Sequence, residues 1–173
     1  MRSRTRIVIV AAIVVLLASV SAVAVGANAH FKHGSPVFTD EGLSLNASGA
    51  IAGLGNGDVV ITVTATGQPV STCTNPSGQT QPPGQNPAEV TLTGVEALPA
   101  ADIKNGNLDF SVDTGSPTTP IPGAPDCPNS HWTENITDVI FAGHQATITV
   151  YQPCTDTTVP IDCPIVLQQS FTV

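Results

Sequence analysis

The chain has 173 residues, a length that favours one domain. Arg2, Arg4 and Arg6 are three of its five basic residues, so residues 30–173 hold two lysines against all thirteen acids, a net charge of −11. Such a domain cannot neutralise a row of phosphates, which excludes ordinary nucleic-acid binding, and anionic membrane surfaces repel it.

The N-terminal segment carries the clearest signal. Three arginines precede an apolar run, residues 7–25, broken only by Ser19 and Ser21. Ala27-Asn28-Ala29 then supplies the small residues that a signal peptidase accepts. Residues 1–29 therefore read as a signal peptide whose removal exposes His30. Val25-Gly26-Ala27 offers a second site, giving a start at Asn28. The alternative is an uncleaved N-terminal anchor, since the run is long enough to span a bilayer with its basic end inside. Under either reading, residues 30–173 are expected to be secreted, extracellular or held in the cell envelope. No membrane contact is expected beyond the N-terminal segment.

After residue 40 the hydrophobic period is two. Val59, Ile61, Val63 and Ala65 alternate with Val60, Thr62, Thr64 and Thr66; Leu108, Phe110 and Val112 alternate with Asp109, Ser111 and Asp113; Ala146, Ile148 and Val150 alternate with Thr147, Thr149 and Tyr151. That is the pattern of strands with one wet face. Further strands are expected at 43–51, 69–74, 89–95, 132–141 and 164–173, about eight in all. Within 132–141 the apolar positions switch from Trp132, Ile136 and Ile140 to Val139 and Phe141, which points to a bulge or a sheet crossing. Residues 97–104 can hold a helical turn with Pro99 at its start. Asn56-Gly57 and Asn105-Gly106 suit hairpin turns with positive φ. The expected fold is all-β: a single antiparallel, immunoglobulin-like sandwich over residues 30–173.

Two loops, 74–88 and 114–130, contain nine of the fifteen prolines. Loops of this length in a compact domain are often functional, and they make a candidate recognition edge presenting Asn, Gln and Trp132. The cysteines, Cys73, Cys127, Cys154 and Cys163, form an even set in a chain marked for export, which favours two disulfides. Pairing Cys154 with Cys163 closes a short loop, and pairing Cys73 with Cys127 ties the two long loops together. A four-cysteine zinc site lacks any C-x-x-C pair.

Catalytic signatures are absent: there is no G-x-S-x-G, Walker loop, H-E-x-x-H or helix-opening G-x-G-x-x-G. Glu134 and Asp138 lie four apart on an expected strand, facing one side but about 13 Å apart, too far for glycosidase carboxylates. Asn105, Asn107 and Asp109 alternate as calcium ligands do, but the acid expected at position 12 is missing. Asn46-Ala-Ser and Asn135-Ile-Thr are glycosylation sequons. The chain is read as a non-enzyme.

The histidines supply the alternative. Cleavage after Ala29 gives His30 a free α-amine, and His33, His131 and His144 are further nitrogen donors. An α-amine with imidazoles suits Cu(II). In this feature the chain resembles lytic polysaccharide monooxygenases and periplasmic copper-binding β-sandwich proteins, which begin with a metal-binding histidine. That resemblance covers one residue and the fold class, and it implies an extracytoplasmic copper-binding protein. The chain departs from it in having few aromatics and no partner motif around His131 or His144.

Residues 43–49 (Leu-Ser-Leu-Asn-Ala-Ser-Gly), 53–58 (Gly-Leu-Gly-Asn-Gly-Asp) and 120–127 (Pro-Ile-Pro-Gly-Ala-Pro-Asp-Cys) make the chain resemble small secreted bacterial β-sandwich proteins with a signal peptide and paired cysteines. That group has no assigned activity, so the likeness implies a compartment and a fold. The leading expectation is a non-catalytic extracellular module that binds a partner or serves in the cell envelope, without a cofactor. Carbohydrate binding needs stacking platforms, for which Trp132 and Tyr151 are the candidates.

Overall fold

The computed structural model describes residues 28–82, 88–119, 127–155 and 162–173. Residues 1–27 of the expected signal peptide (1–29) lie outside them. Ten strands run through the described residues: β1 (His30–Phe31), β2 (Val37–Asp40), β3 (Leu45–Ala52), β4 (Asp58–Thr74), β5 (Thr80–Gln81), β6 (Val90–Leu98), β7 (Leu108–Asp113), β8 (Thr133–Ile140), β9 (Gln145–Cys154) and β10 (Ile165–Thr172). The only helical piece among them is a 3-10 turn at Ala100–Asp102, directly after Pro99. No helix of the described residues is long and apolar enough to cross a membrane.

The strands form two antiparallel sheets. In the smaller sheet, β3 has β7 on one flank and β2 and β1 in succession on the other. The larger sheet runs β6-β4-β9-β10. The alternation read in the sequence packs one sheet on the other. Val59, Ile61, Val63, Ile148 and Val150 from the larger sheet meet Ala47, Ile51, Leu108, Phe110 and Val112 from the smaller. β-branched residues suit such a pleated, half-buried surface. The Phe171 ring lies 5.6 Å from Phe31 and 5.5 Å from Phe38, which ties β10 to the smaller sheet. A second cluster around Phe141 and Leu45 closes the opposite end of the core.

All eight expected strands fall on strands, but 59–66 and 69–74 are a single one. Gly67-Gln68-Pro69 reads as a break, yet β4 runs straight through it. On that flank β6 ends opposite Gly67 and β5 begins opposite Cys73. Pro69 therefore sits where β4 has one neighbour, and its missing N–H removes no ladder bond. β1, β2 and β5 are too short to show a period in the sequence.

With seventeen residues, β4 is about twice the length of β3, and its last third runs past the smaller sheet as an arm flanked by β8 and β5. The facing switch expected in 132–141 is a bulge: Val70 pairs with Asp138 and Ser71 with Ile136, leaving Thr137 extra. The Thr137 hydroxyl donates to the Val70 carbonyl at 3.2 Å. The bulge also corrects the carboxylate geometry. Glu134 pairs with Cys73 and Asp138 with Val70, so the two acids face opposite sides of the arm.

The two Asn-Gly turns differ. Asn105 (φ 51) and Gly106 (φ 75) make the expected hairpin, with Lys104 and Asn107 exchanging backbone bonds of 2.8 and 2.9 Å. Gly57 does not take a positive φ, because its segment carries the chain from the smaller sheet to the larger. That crossing is held by the buried Gln152. Its amide donates to the carbonyls of Gly55 and Gly57 at 3.0 and 2.9 Å and accepts from the Gly55 N–H at 2.8 Å. Gly94 marks where β7 passes β6: a Cβ there would lie 2.1 Å from the Asp113 carbonyl oxygen.

Candidate functional site

Along β4 the even-numbered side chains from Thr62 to Thr74 point away from the core, and none is charged. Register sets their neighbours. One row across the larger sheet reads Thr93, Thr64, Thr147, Ser170, and another reads Val95, Thr62, Thr149, Gln168. A third reads Thr91, Thr66, Gln145, Thr172, in which the Gln145 N–H donates to the Thr66 hydroxyl at 3.3 Å. Rows two residues apart on a strand repeat at about 6.7 Å, and neighbouring strands at about 4.8 Å. The hydroxyls and amides hold one another: Thr147 and Ser170 lie 2.8 Å apart, and Gln168 and Gln145 donate to Thr149 and Thr172 at 3.1 and 3.2 Å. These three rows contain no acid or lysine, although the domain carries thirteen acids.

The same face continues onto the arm, where it forms an open groove of about 610 Å³. Thr72 and Thr74 line it from β4, Asn135 and Thr133 from the paired positions of β8, and Asn75, Pro76 and His131 from the adjoining turns. Asn135 is fixed there, its amide donating to the Thr74 hydroxyl at 2.9 Å. Asn75 is fixed by its own turn, accepting from the Gln79 N–H at 2.8 Å. His131 is exposed. The groove offers hydroxyl, amide and imidazole groups and no formal carboxylate or ammonium. It can exchange hydrogen bonds in both directions with a neutral polar ligand. It does not supply paired acids or an activated nucleophile.

The disulfides are Cys73–Cys127 and Cys154–Cys163, as the cysteine pattern led us to expect. The first anchors the end of the 114–130 loop beneath the arm, behind the groove; residues 83–87 and 120–126 of the long loops lie outside the described residues. Trp132 does not line the groove. It is half-buried, and alternation along β8 puts it on the other face with Glu134 and Ile136. Tyr151 shares the outward parity of Thr147 and Thr149, at the end of the hydroxyl rows distant from the groove.

The structure does not bring the four histidines together. His30 pairs with Ala52 at the end of β3, and its Nδ1 lies 2.6 Å from the Asn28 carbonyl. His33 is in the turn that follows. His144 lies between β8 and β9, its Nδ1 2.6 Å from Glu89 Oε1. His131 lies beyond the far end of β4. About eight residues of β4 separate the levels of His144 and His131, roughly 25 Å of strand. No group of three or more histidines, cysteines or acids placed to hold a metal occurs among the described residues.

Sequence reasoning missed the threonine face and the groove. The available signal was Thr-x-Thr, present in the strands at 62–64, 64–66, 72–74, 91–93 and 147–149. What places those pairs side by side is strand register, which is not written locally. A comparison with protein families, curated proteins and solved structures finds no match to the chain.

Proposed function

We propose that this protein is a non-catalytic extracellular or cell-surface module with an immunoglobulin-like sandwich, which binds a neutral, hydroxyl-rich ligand on the outer face of its larger sheet. The arm groove is the primary site. One observation carries the reading: three uncharged rows of hydroxyl and amide side chains and an uncharged groove lie on one face, with Asp138 beside Val70 between them, on a domain that is otherwise acidic. Two disulfides support an oxidising location. Charged ligands gain nothing from such a face. Protein partners prefer clustered aromatic and arginine anchors, and this face offers Tyr151 alone, at the end distant from the groove. Sugar hydroxyls donate and accept as threonine and asparagine do, so a neutral oligosaccharide fits. Without a stacked aromatic ring, affinity is modest and rests on several simultaneous hydrogen bonds.

Affinity electrophoresis in gels containing neutral soluble polysaccharides tests this. Migration of the folded protein is slowed by at least one of them. Thr74→Lys and Asn135→Lys relieve the slowing, while a lysine on the outer face of the smaller sheet, Ser111→Lys, does not. Unretarded migration throughout a broad panel, or equal retardation of all three variants, overturns the proposal.

A further inference from the structure

We infer that β10 is a self-association edge, pairing antiparallel with β10 of a second copy across a two-fold axis. An edge strand presents unpaired N–H and C=O groups, and proteins guard such edges with charge, proline, shortness or a covering segment. The other outer strands here are guarded. β1 and β5 have two residues, and β2 has four and ends on Asp40. β7 carries Asp109 and Asp113, and β8 carries Glu134 and Asp138. β6 contains Glu96 and is covered where the Gly115 N–H donates to the Thr93 carbonyl at 3.1 Å. β10 has eight residues without charge, proline or glycine, and Ile165 is 54% exposed. Among the described residues, β9 is its one strand partner.

Self-complementarity selects the occupant: the free side of β10 carries N–H and C=O groups that an extended, uncharged strand satisfies, and β10 of a second copy is such a strand. Two domains of net charge −11 repel over most of their surface. β10 itself carries no acid, so the repulsion is least along it. The strand has one free side, so pairing about a two-fold closes at two copies and does not grow a fibre. The pairing joins the two larger sheets and doubles the three uncharged rows. A single strand pair buries little beside the roughly 1,600 Å² of a standard interface, so the equilibrium is weak and depends on concentration.

Sedimentation velocity of the exported protein across a concentration series tests this. The average mass rises from one chain to two and no further. Gln169 is exposed on β10, and Gln169→Lys or Gln169→Glu sets like charges near each other across the axis, weakening the dimer by about fivefold. Mixing the two variants restores association, which a misfolded variant would not do. A protein that remains monomeric, one that grows past two copies, or variants that associate like the parent overturn the inference. A mixture that fails to recover association does so as well.

Discussion

Removing the Cys73–Cys127 bridge should cost more stability than removing Cys154–Cys163, and the sequence separations set the ratio. The first bridge links residues 54 apart and the second links residues 9 apart. In the chain-entropy description, loops of these lengths contribute about 4 and about 2.5 kcal/mol through the unfolded state. For a domain of this size those losses correspond to melting temperatures lower by roughly 15 and 10 °C. Each bridge is best replaced by an alanine pair, Cys73→Ala with Cys127→Ala and Cys154→Ala with Cys163→Ala, so that no thiol remains. Urea unfolding is followed by far-ultraviolet circular dichroism and by the fluorescence of Trp132, which directly precedes β8 and follows Cys127 by five residues. Coincident transitions establish a single cooperative unit. A long-range pair that costs no more than the short-range pair would refute loop entropy as the source of the difference. A separate early transition at Trp132 in the parent protein would refute it as well, because the arm then melts independently and the loop length no longer measures its entropy.

Three further outcomes follow from particular contacts. Gly94→Ala should destabilise by several kcal/mol, since its Cβ meets backbone at 2.1 Å and neither sheet can withdraw cheaply; a stability within about 1 kcal/mol of the parent would show that β7 does not cross β6 there. Gln152→Ala strips three hydrogen bonds from the backbone of the inter-sheet crossing and should cost about 2–4 kcal/mol by chemical denaturation; a change under about 1 kcal/mol would mean that water replaces the side chain. With thirteen acids facing two lysines, added sodium chloride at about 0.3 M should raise the melting temperature by screening self-repulsion; a fall would show that specific ion pairs dominate.

Much of the fold was legible because a half-buried strand writes itself into the chain with period two. The alternations at 59–66, 108–113 and 146–151 became β4, β7 and β9 with the predicted faces inward. The bulge was legible too, since Ile136 and Val139 cannot both face the core without an extra residue between them. What escaped the sequence was register and neighbourhood. Pro69 reads as a strand breaker until the gap between β6 and β5 is known, and Glu134 with Asp138 reads as a same-side pair until Thr137 is seen to be extra. Gln152 resembles any strand glutamine, and only the crossing at Gly55 and Gly57 explains its burial. Trp132 drew attention as the sole tryptophan in a candidate recognition loop, but its parity on the arm turns it away from the groove. The candidate site lay in threonines that are common throughout the chain and become a surface only when four strands align them.

Amide chemical-shift mapping tests most directly whether the outer face of the larger sheet binds a neutral ligand. A neutral polysaccharide that slows the protein in a gel is titrated into isotopically labelled protein. Graded shifts are expected at Thr72, Thr74, Thr133 and Asn135, extending along the outward residues of β4 and β9, with β3 and β7 unmoved. Shifts concentrated on the smaller sheet, or at His30 and His33, would contradict it.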